Sequence, residues 1–208
     1  LFFYQRAGQW HQGQTNLDQA IKYYLLAQDF EQAAILIERV ASSTMMHGQL
    51  KTILNWIEAL PQNILEDRLR LRFYQAWALS LGGQPKIAEK ILVEAKSSLA
   101  RLPDTPENRV LRGELAALLT GIVTYYNDPP RTIRVGQEAL DYLPADNLIS
   151  RARVHIALGT AYAYSDERDR AIETYQLARD LALQAKNPFL ATAAIELLAG
   201  MQIYHLDN

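Results

Sequence analysis

One stretch of the chain spaces small and aromatic residues as two closely crossing helices require. It contains, in order, Leu158, Gly159, Tyr162, Ala171, Tyr175 and Ala178. Helices that cross closely need small side chains at the crossing, and larger rings fill the space beside it. We therefore expect an antiparallel helix pair with Gly159, Ala171 and Ala178 at the crossing, and with Tyr162 and Tyr175 between the helices.

These six positions match the tetratricopeptide pattern of a Leu-Gly pair, an aromatic residue, an alanine, a second aromatic residue and a second alanine. His155 departs from the pattern, because the consensus has Trp there. Looser copies occur at a period of roughly 40 residues instead of the usual ~34. Their residues are Ala76, Leu79, Ala88, Leu92 and Ala95, then Gly121, Val135 and Ala139, and finally Gly200 and Ile203. We therefore predict an all-α chain, a tetratricopeptide-like right-handed superhelix of antiparallel helix pairs (an α-α solenoid).

The remaining segments also show a helical period, and prolines separate them. Apolar residues recur every three or four positions, and no segment alternates as a strand would. The joints contain Pro61, Pro103, Pro106, Pro129, Pro130, Pro144 and Pro188, whereas Pro85 fits a first helical turn. The pattern predicts helices near 2–12, 17–28, 31–46, 49–59, 68–81, 85–100, 107–126, 131–142, 147–164, 168–185 and 188–205.

The first sixty residues form short amphipathic segments in close succession, unlike the longer segments that follow. The stretch from Gly48 to Pro61, for example, places Ile53 and Ile57 on one apolar face. We predict two domains. Residues 1–60 are an N-terminal short-helix repeat segment, and residues 61–208 are the tetratricopeptide-like superhelix, truncated at its C-terminal end.

The order of these features resembles a known family. The residues that carry the resemblance are Trp10 to Gly13, Asp18 to Tyr23, Ala27 to Ala34, Gly48 to Leu50, Trp56 to Pro61 and Ala76 to Leu79. Together they look like the helical-repeat region of large ATP-dependent LuxR-type transcriptional regulators, the maltose-regulon-activator-like group.

The resemblance implies two further modules that this sequence lacks, a signal-transduction ATPase and a helix-turn-helix. The run Gly82 to Lys86 does not have the spacing of a phosphate-binding loop. The chain would then be a sensor or coupling domain, linked through residues 1–60 to the ATPase, whose ligand or partner biases the state of that ATPase.

The composition excludes several other classes of protein. The net charge of -2 gives no basic footprint, so we expect no direct nucleic-acid contact. No apolar run has the ~18 residues of a membrane helix. The absence of cysteine excludes a disulfide framework and fits a cytoplasmic protein. The four histidines share no short metal-ligand spacing, so we expect no metal and no cofactor in this fragment.

No group of residues indicates catalysis. Asp166, Glu167 and Asp169 form an acidic cluster, but a solvated turn with a helix-starting carboxylate explains it better than an acid/base pair. There is no Gly-x-Ser-x-Gly nucleophile elbow. We therefore expect a binding protein and not an enzyme.

The first helix of each pair in a tetratricopeptide stack lines the concave groove. The residues expected to bind a ligand there are Arg70, Tyr74, Trp77, Glu114, Tyr125, Arg153, Thr160 and Tyr164. Tyr204 falls at a place nearly equivalent to Tyr125 and Tyr164. Flat rings with an Arg and a Glu would suit a sugar, a peptide or an apolar effector. The alternative is that these rings pack one repeat against the next, which is the commoner use of tyrosine at helical spacing.

Two functions fit this pattern. The first is an effector-sensing or interaction domain of a transcription regulator, whose groove binds a small-molecule inducer or a regulatory protein. The second is a general scaffold for protein–protein assembly with no small ligand. Self-association is a further expectation, because solenoid ends expose apolar faces unless they are capped, and a severed C-terminal helix could drive dimers that the intact protein does not form. The residues that would drive it are Ile195, Leu198 and Ile203.

Overall fold

The computed structural model describes residues 1–203, with side chains through Met201, and this part of the chain contains twelve α-helices and no strand. The predicted all-α class is confirmed. The helices are α1 (Phe2–Gly13), α2 (Leu17–Leu26), α3 (Phe30–Met46), α4 (Leu50–Glu58), α5 (Gln62–Asp67), α6 (Leu69–Leu81), α7 (Pro85–Leu99), α8 (Pro106–Thr124), α9 (Pro129–Tyr142), α10 (Leu148–Tyr164), α11 (Arg168–Gln184) and α12 (Pro188–Ile203).

Prolines begin several helices instead of lying between them. Pro106, Pro129 and Pro188 are the first residues of α8, α9 and α12. A proline is tolerated there because its missing N–H would have no partner within the helix. The short helix α5 was not predicted, since its six residues are too few to show a period.

Seven turns between helices share one backbone design. Each contains one residue with a left-handed φ between 52° and 80°. In six of them the following N–H donates to a carbonyl five residues earlier, as Glu167 does to Tyr162 at 2.9 Å. That bond satisfies a carbonyl which the helix end leaves open. The left-handed residues are Thr15, Gln28, Gly48, Gly83, Asn127, Asp166 and Lys186.

The residue after the left-handed one directly precedes the next helix, and in several turns its side chain caps that helix. Asp128 accepts a hydrogen bond from the Arg131 N–H at 3.1 Å, and Asn187 accepts one from the Leu190 N–H at 3.1 Å. These side chains partner N–H groups that have no acceptor inside the helix. One short turn therefore ends one helix and begins the next.

The chain divides into two compact units, residues 1–95 and the residues from Lys96 onward. The predicted boundary near residue 61 falls inside the first unit and stays a prediction. In the first unit α1 packs on α2, α2 on α3, α3 on α4, and α6 on both α3 and α4. Fully buried Ile21, Ile37, Ile53 and Ile57 lie in its core. Burial of such side chains contributes about 1.5–3 kcal/mol each.

An ion network joins α3 to the start of α6 in the first unit. Arg68 donates to Glu31 at 2.6 Å and to Glu38 at 3.1 Å. Burial raises the pKa of Glu38, while the Arg68 guanidinium beside it opposes that rise. The network places charged partners around a carboxylate that has lost part of its hydration.

The pair α1–α2 repeats the tetratricopeptide packing, which the sequence analysis did not detect. A Cβ atom on Gly8 would lie 3.0 Å from the ring of Tyr24, so α1 and α2 cross where Gly8 has no side chain. Ala20 is fully buried at the same crossing. The Tyr24 hydroxyl donates to Gln12 at 2.7 Å. Gly8, Ala20 and Tyr24 thus correspond to Gly159, Ala171 and Tyr175 of the better repeat.

In the second unit α8 pairs with α9, and α10 pairs with α11. The helix α10 also packs on α8, α9 and α12. The predicted crossing of α10 and α11 is confirmed, because a Cβ atom on Gly159 would lie 2.6 Å from the Tyr175 ring and Ala171 and Ala178 are fully buried. Tyr162 and Tyr175 are buried as expected, at 6% and 2% exposure. First helices α8, α10 and α12 therefore stack, and α9 and α11 lie between them.

The match of Gly121 to Gly159 was wrong by one residue. Gly121 is exposed and a Cβ atom there would meet nothing within 4 Å. Thr120 takes the equivalent position, because it stands seven residues before the left-handed Asn127 as Gly159 stands before Asp166. Thr120 is fully buried, and its hydroxyl donates to the Ala116 carbonyl at 2.8 Å.

His155 lies inside the second unit, where the consensus has Trp. Its side chain is 8% exposed. Burial, together with the positive charge of Arg151, lowers the pKa of His155 to about 4. Arg151 itself donates to the carbonyls of Leu140 and Leu143 at 3.2 and 3.1 Å. The imidazole is therefore neutral at pH 7.

Candidate functional site

One side of the first helix α10 carries exposed side chains. Arg153, Thr160 and Tyr164 lie on it, spaced by seven and four residues and so on one side of the helix. Gly159 and Tyr162 lie on the other side, where α11 packs. We call the side of Arg153, Thr160 and Tyr164, together with the equivalent side of α8, the groove face.

The equivalent residues of α8 are Glu114, Gly121 and Tyr125. They precede the left-handed Asn127 by the same intervals at which Arg153, Thr160 and Tyr164 precede Asp166. Since α8 and α10 pack beside each other, these two rows are neighbours within the second unit. The exposed Gly121 leaves α8 without a side chain in the middle of its row.

The two tyrosines of the groove face are exposed. Tyr125 is 83% exposed and Tyr164 is 66% exposed. The tyrosines that pack between helices are instead Tyr162 and Tyr175. Within the second unit, then, the rings at the ends of α8 and α10 are not the ones that pack helix against helix.

Thr160 links the groove face to the interior. Its hydroxyl donates to the Ile156 carbonyl at 3.0 Å, and it lies 3.1 Å from the Tyr175 hydroxyl. Tyr175 therefore donates to Thr160, whose own proton is already used. Burial raises the pKa of Tyr175 and also lowers the pKa of Arg153. Arg153 stays a cation at pH 7, since the pKa of an arginine starts far above neutral pH.

Three predicted site residues belong to the first unit and lie on α6. Arg70, Tyr74 and Trp77 are each half-buried. The rings of Tyr74 and Trp77 stack with centroids 6.5 Å apart, and Phe73 contacts both. Tyr74 and Trp77 also pack against the core of the first unit. Part of each ring surface is therefore covered by the core of the first unit and does not face the solvent.

One further residue, on α6, fits this pattern and was not predicted from the sequence. Leu81 stands two residues before the left-handed Gly83, as Tyr125 and Tyr164 stand before Asn127 and Asp166. Leu81 is 59% exposed. The signal that could have found it is its distance from the turn glycine. Tyr204, predicted at the same place in the last repeat, lies outside the described residues.

Five of the predicted residues lie on α10 or on α8 and its C-terminal cap in the second unit, and three lie on α6 in the first. The five are Glu114, Tyr125, Arg153, Thr160 and Tyr164. Their role in binding stays a prediction. Between α5, α6 and α7 the first unit also has an open depression of about 610 Å³. Arg72 and Glu94 line it and pair with each other at 2.5 Å, so these two charges already have partners.

The acidic cluster forms a turn, as expected. Asp166 is the left-handed residue, Glu167 precedes α11 and pairs with Arg170, and Asp169 lies in the first turn of α11. Among the residues that the structure describes, no group of three His, Cys, Asp or Glu side chains could hold a metal ion. No helix in residues 1–203 is both long and apolar enough to cross a membrane. The predicted contribution of Leu198 to an exposed apolar face was wrong, because Leu198 is 8% exposed.

Comparison with known proteins points to transcription regulators. The chain is 26% identical over 165 residues to the HTH-type transcriptional regulator MalT of Yersinia enterocolitica, covering 79% of this chain and 18% of that protein. It is 24% identical to the MalT of Yersinia pestis, with the same coverage of each chain. The chain thus spans about a fifth of the length of the curated relatives it matches. No family model matches it.

A solved structure shares the fold. The chain titled "MamA RS-1 ArsTM double mutant" aligns with a TM-score of 0.53 at 14% identity, over 84% of this chain and 97% of that one. The predicted tetratricopeptide-like class of helix pairs is confirmed. This protein is therefore an all-α, tetratricopeptide-like chain, with distant sequence similarity to MalT, a LuxR-type regulator.

Proposed function

We propose that this chain is the effector-sensing or partner-binding part of a cytoplasmic transcription regulator. An inducer or a regulatory protein binds the groove face, and its binding energy biases a neighbouring ATPase and helix-turn-helix. The observation that carries the proposal is the exposure of Tyr125 and Tyr164 at equivalent ends of two packed first helices. The similarity to MalT supports the regulator half of the proposal.

The chemistry of the groove face suits a ligand with both flat and polar surfaces. Tyr125 and Tyr164 offer two ring faces, which give contact area with little loss of side-chain entropy. Arg153 and Glu114 add opposite charges at one level of the two helices. Arg153 donates hydrogen bonds and Glu114 accepts them, so a sugar, a peptide or an apolar effector with polar groups fits.

Thermal-shift screening of the chain against sugars and small metabolites tests this proposal, followed by calorimetry on each hit. Tyr164→Ala and Arg153→Ala should each weaken binding about tenfold or more. Leu177→Ala is the matched control, because Leu177 is 50% exposed on the second helix α11. Binding that survives both groove substitutions would contradict the proposed site.

The alternative function is a scaffold for protein–protein assembly with no small ligand. The exposed apolar side chains at the ends of the first helices favour this reading as well, since such residues anchor protein interfaces. A screen without hits, together with a protein partner whose binding Tyr164→Ala weakens, would select the scaffold.

A further inference from the structure

Three helices of the first unit contribute side chains to the open depression between α5, α6 and α7. Those of α7 recur every three or four positions and so share one side of that helix. The lining combines two cations, one carboxylate, two carboxamides and three aliphatic side chains. Its residues are Gln62 and Leu65 on α5, Arg72 and Gln75 on α6, and Ile87, Lys90, Ile91 and Glu94 on α7.

The depression lies on the side of α6 opposite to the predicted groove residues. Arg70, Tyr74 and Trp77 share one side of that helix by their spacing. Arg72 and Gln75 fall about half a turn away from them. A ligand in the depression therefore occupies a different surface from the one proposed for the effector.

Arg72 is the most enclosed charged group of this lining. Its side chain is 11% exposed, and its guanidinium donates to Glu94 at 2.5 Å. A guanidinium carries several more N–H donors than this single bond uses. Among the described residues Arg72 has no second ion pair, and none of its nitrogens is both buried and unpartnered. The remaining N–H groups are therefore open to a ligand in the depression.

Lys90 supplies a cation that the lining leaves unneutralised. It stands four residues before Glu94, a spacing at which helical ion pairs form, but Glu94 binds Arg72 instead. No carboxylate in the part of the chain that the structure describes forms an ion pair with Lys90. The lining therefore has one positive charge in excess, which favours a ligand with a single negative charge.

The uncharged side chains of the lining select the rest of the ligand. Ile87 is 50% exposed, and Ile91 follows it one turn later on the same side of α7. A short branched alkyl chain would remove this hydrocarbon surface from water. The side-chain amide of Gln75 has no partner among the described residues, so it can donate to an oxygen beside a carboxylate.

We propose that this depression binds a small aliphatic α-keto acid with one carboxylate. The carboxylate lies between Lys90 and Arg72, and the keto oxygen accepts a hydrogen bond from Gln75. The alkyl chain covers Ile87. A second carboxylate on the ligand would meet the negative charge of Glu94, so monocarboxylates bind in preference to dicarboxylates.

Saturation-transfer NMR of the 208-residue chain with α-ketoisocaproate tests the proposal. Binding should saturate at about millimolar concentration, since an open site makes few contacts. Isocaproate, which lacks the keto oxygen, should bind about threefold more weakly through the loss of one hydrogen bond. The dicarboxylate α-ketoglutarate and inorganic phosphate should each bind about tenfold more weakly.

Three substitutions at exposed positions assign the binding to this lining. Lys90→Gln should weaken the binding of α-ketoisocaproate about fivefold or more, because it removes the unneutralised cation. Lys22→Gln is the matched control, since Lys22 is an exposed lysine of α2 outside the lining. Glu94→Gln should raise the affinity for α-ketoglutarate more than that for α-ketoisocaproate. Circular dichroism checks that each variant keeps its helices.

Three results would overturn the proposal. The first is the absence of saturation by α-ketoisocaproate well beyond the millimolar range. The second is inorganic phosphate that competes as tightly as α-ketoisocaproate, which would mean that exposed lysines attract any anion. The third is binding that Lys90→Gln leaves unchanged. Tyr164→Ala on the groove face should leave α-ketoisocaproate binding unchanged, so this test and that of the effector proposal fail separately.

Discussion

A Cβ atom placed on Gly159 would lie 2.6 Å from the ring of Tyr175, and the same relation recurs between Gly8 and Tyr24 at 3.0 Å. The ring of the second helix thus occupies the space where the first helix has no side chain. Gly159→Ala should lower the free energy of unfolding by about 1–3 kcal/mol, because the ring cannot move without disturbing a close-packed core.

Gly121→Ala is the matched control for that substitution. Gly121 is also inside a helix, but a Cβ atom there meets nothing within 4 Å. Alanine should therefore raise the free energy of unfolding by about 0.5–1 kcal/mol through its higher helix propensity. Urea unfolding of both variants checks the pair, and equal effects would mean that the α10–α11 crossing is looser than described.

Thr15 is a β-branched residue with a φ of 59°, a conformation that costs an L-residue about 1–2 kcal/mol. Thr15→Gly removes this strain, and part of the gain is offset by the greater freedom of glycine in the unfolded chain. The variant should be more stable by about 0.5–1 kcal/mol. Gly83→Ala is the reciprocal change, at a φ of 80°, and should destabilise. Thermal unfolding measures both, and a Thr15→Gly variant that melts lower would contradict the prediction.

His155 makes stability depend on pH. Burial lowers its pKa from 6.5 to about 4, so the unfolded chain binds the proton more readily than the folded chain between these values. The contribution of the neutral imidazole to the free energy of unfolding is complete above pH 6.5 and is lost as the pH falls towards 4. The loss is at most about 3 kcal/mol. His155→Phe should flatten this part of the stability curve, measured by urea unfolding at several pH values. His47→Gln, at an exposed position, should leave the curve unchanged.

The cost of losing the Arg68 network should fall, and not rise, as the pH is lowered. Arg68→Met leaves Glu38 partly buried without its partner, and we expect a loss of about 1–2 kcal/mol at pH 7. Burial raises the pKa of Glu38, so the folded state holds its proton more tightly than the unfolded state. The deficit of the variant should therefore shrink as the pH falls through the pKa of Glu38. Arg39→Met, at an exposed position of α3, is the control and should cost less at both pH values.

Sequence reasoning located the repeat because its signal is steric. Gly159, Ala171 and Ala178 must be small wherever helices cross, and the spacing of small residues survives in a single sequence. The α1–α2 copy escaped notice because His11 takes the place of the consensus aromatic residue that Tyr162 keeps. Gly121 was misaligned because a helical period of 3.6 residues tolerates a shift of one position, and the turn residue Asn127 fixes the alignment better.

The candidate site was harder to predict because exposure depends on neighbours that a sequence does not show. Tyr164 and Tyr175 are both tyrosines at helical spacing, yet one is 66% exposed and the other 2%. Tyr164 is on α10 and Tyr175 on α11, and the side of its helix that each ring occupies follows from its distance to the turn at Asp166. The partial burial of Tyr74 and Trp77 follows instead from the packing of α6 on α3 and α4.

The turns that end on a left-handed residue close their hydrogen bonds within about six residues of backbone. They depend little on the length of the helices they connect, and first helices begin at unequal intervals, at Leu69, Pro106, Leu148 and Pro188. Because the turn does not depend on helix length, one helix pair can be lengthened, duplicated or exchanged while the other pairs stay unchanged. The number of helix pairs in such a chain can therefore change one pair at a time, while the turns keep the same hydrogen bonds.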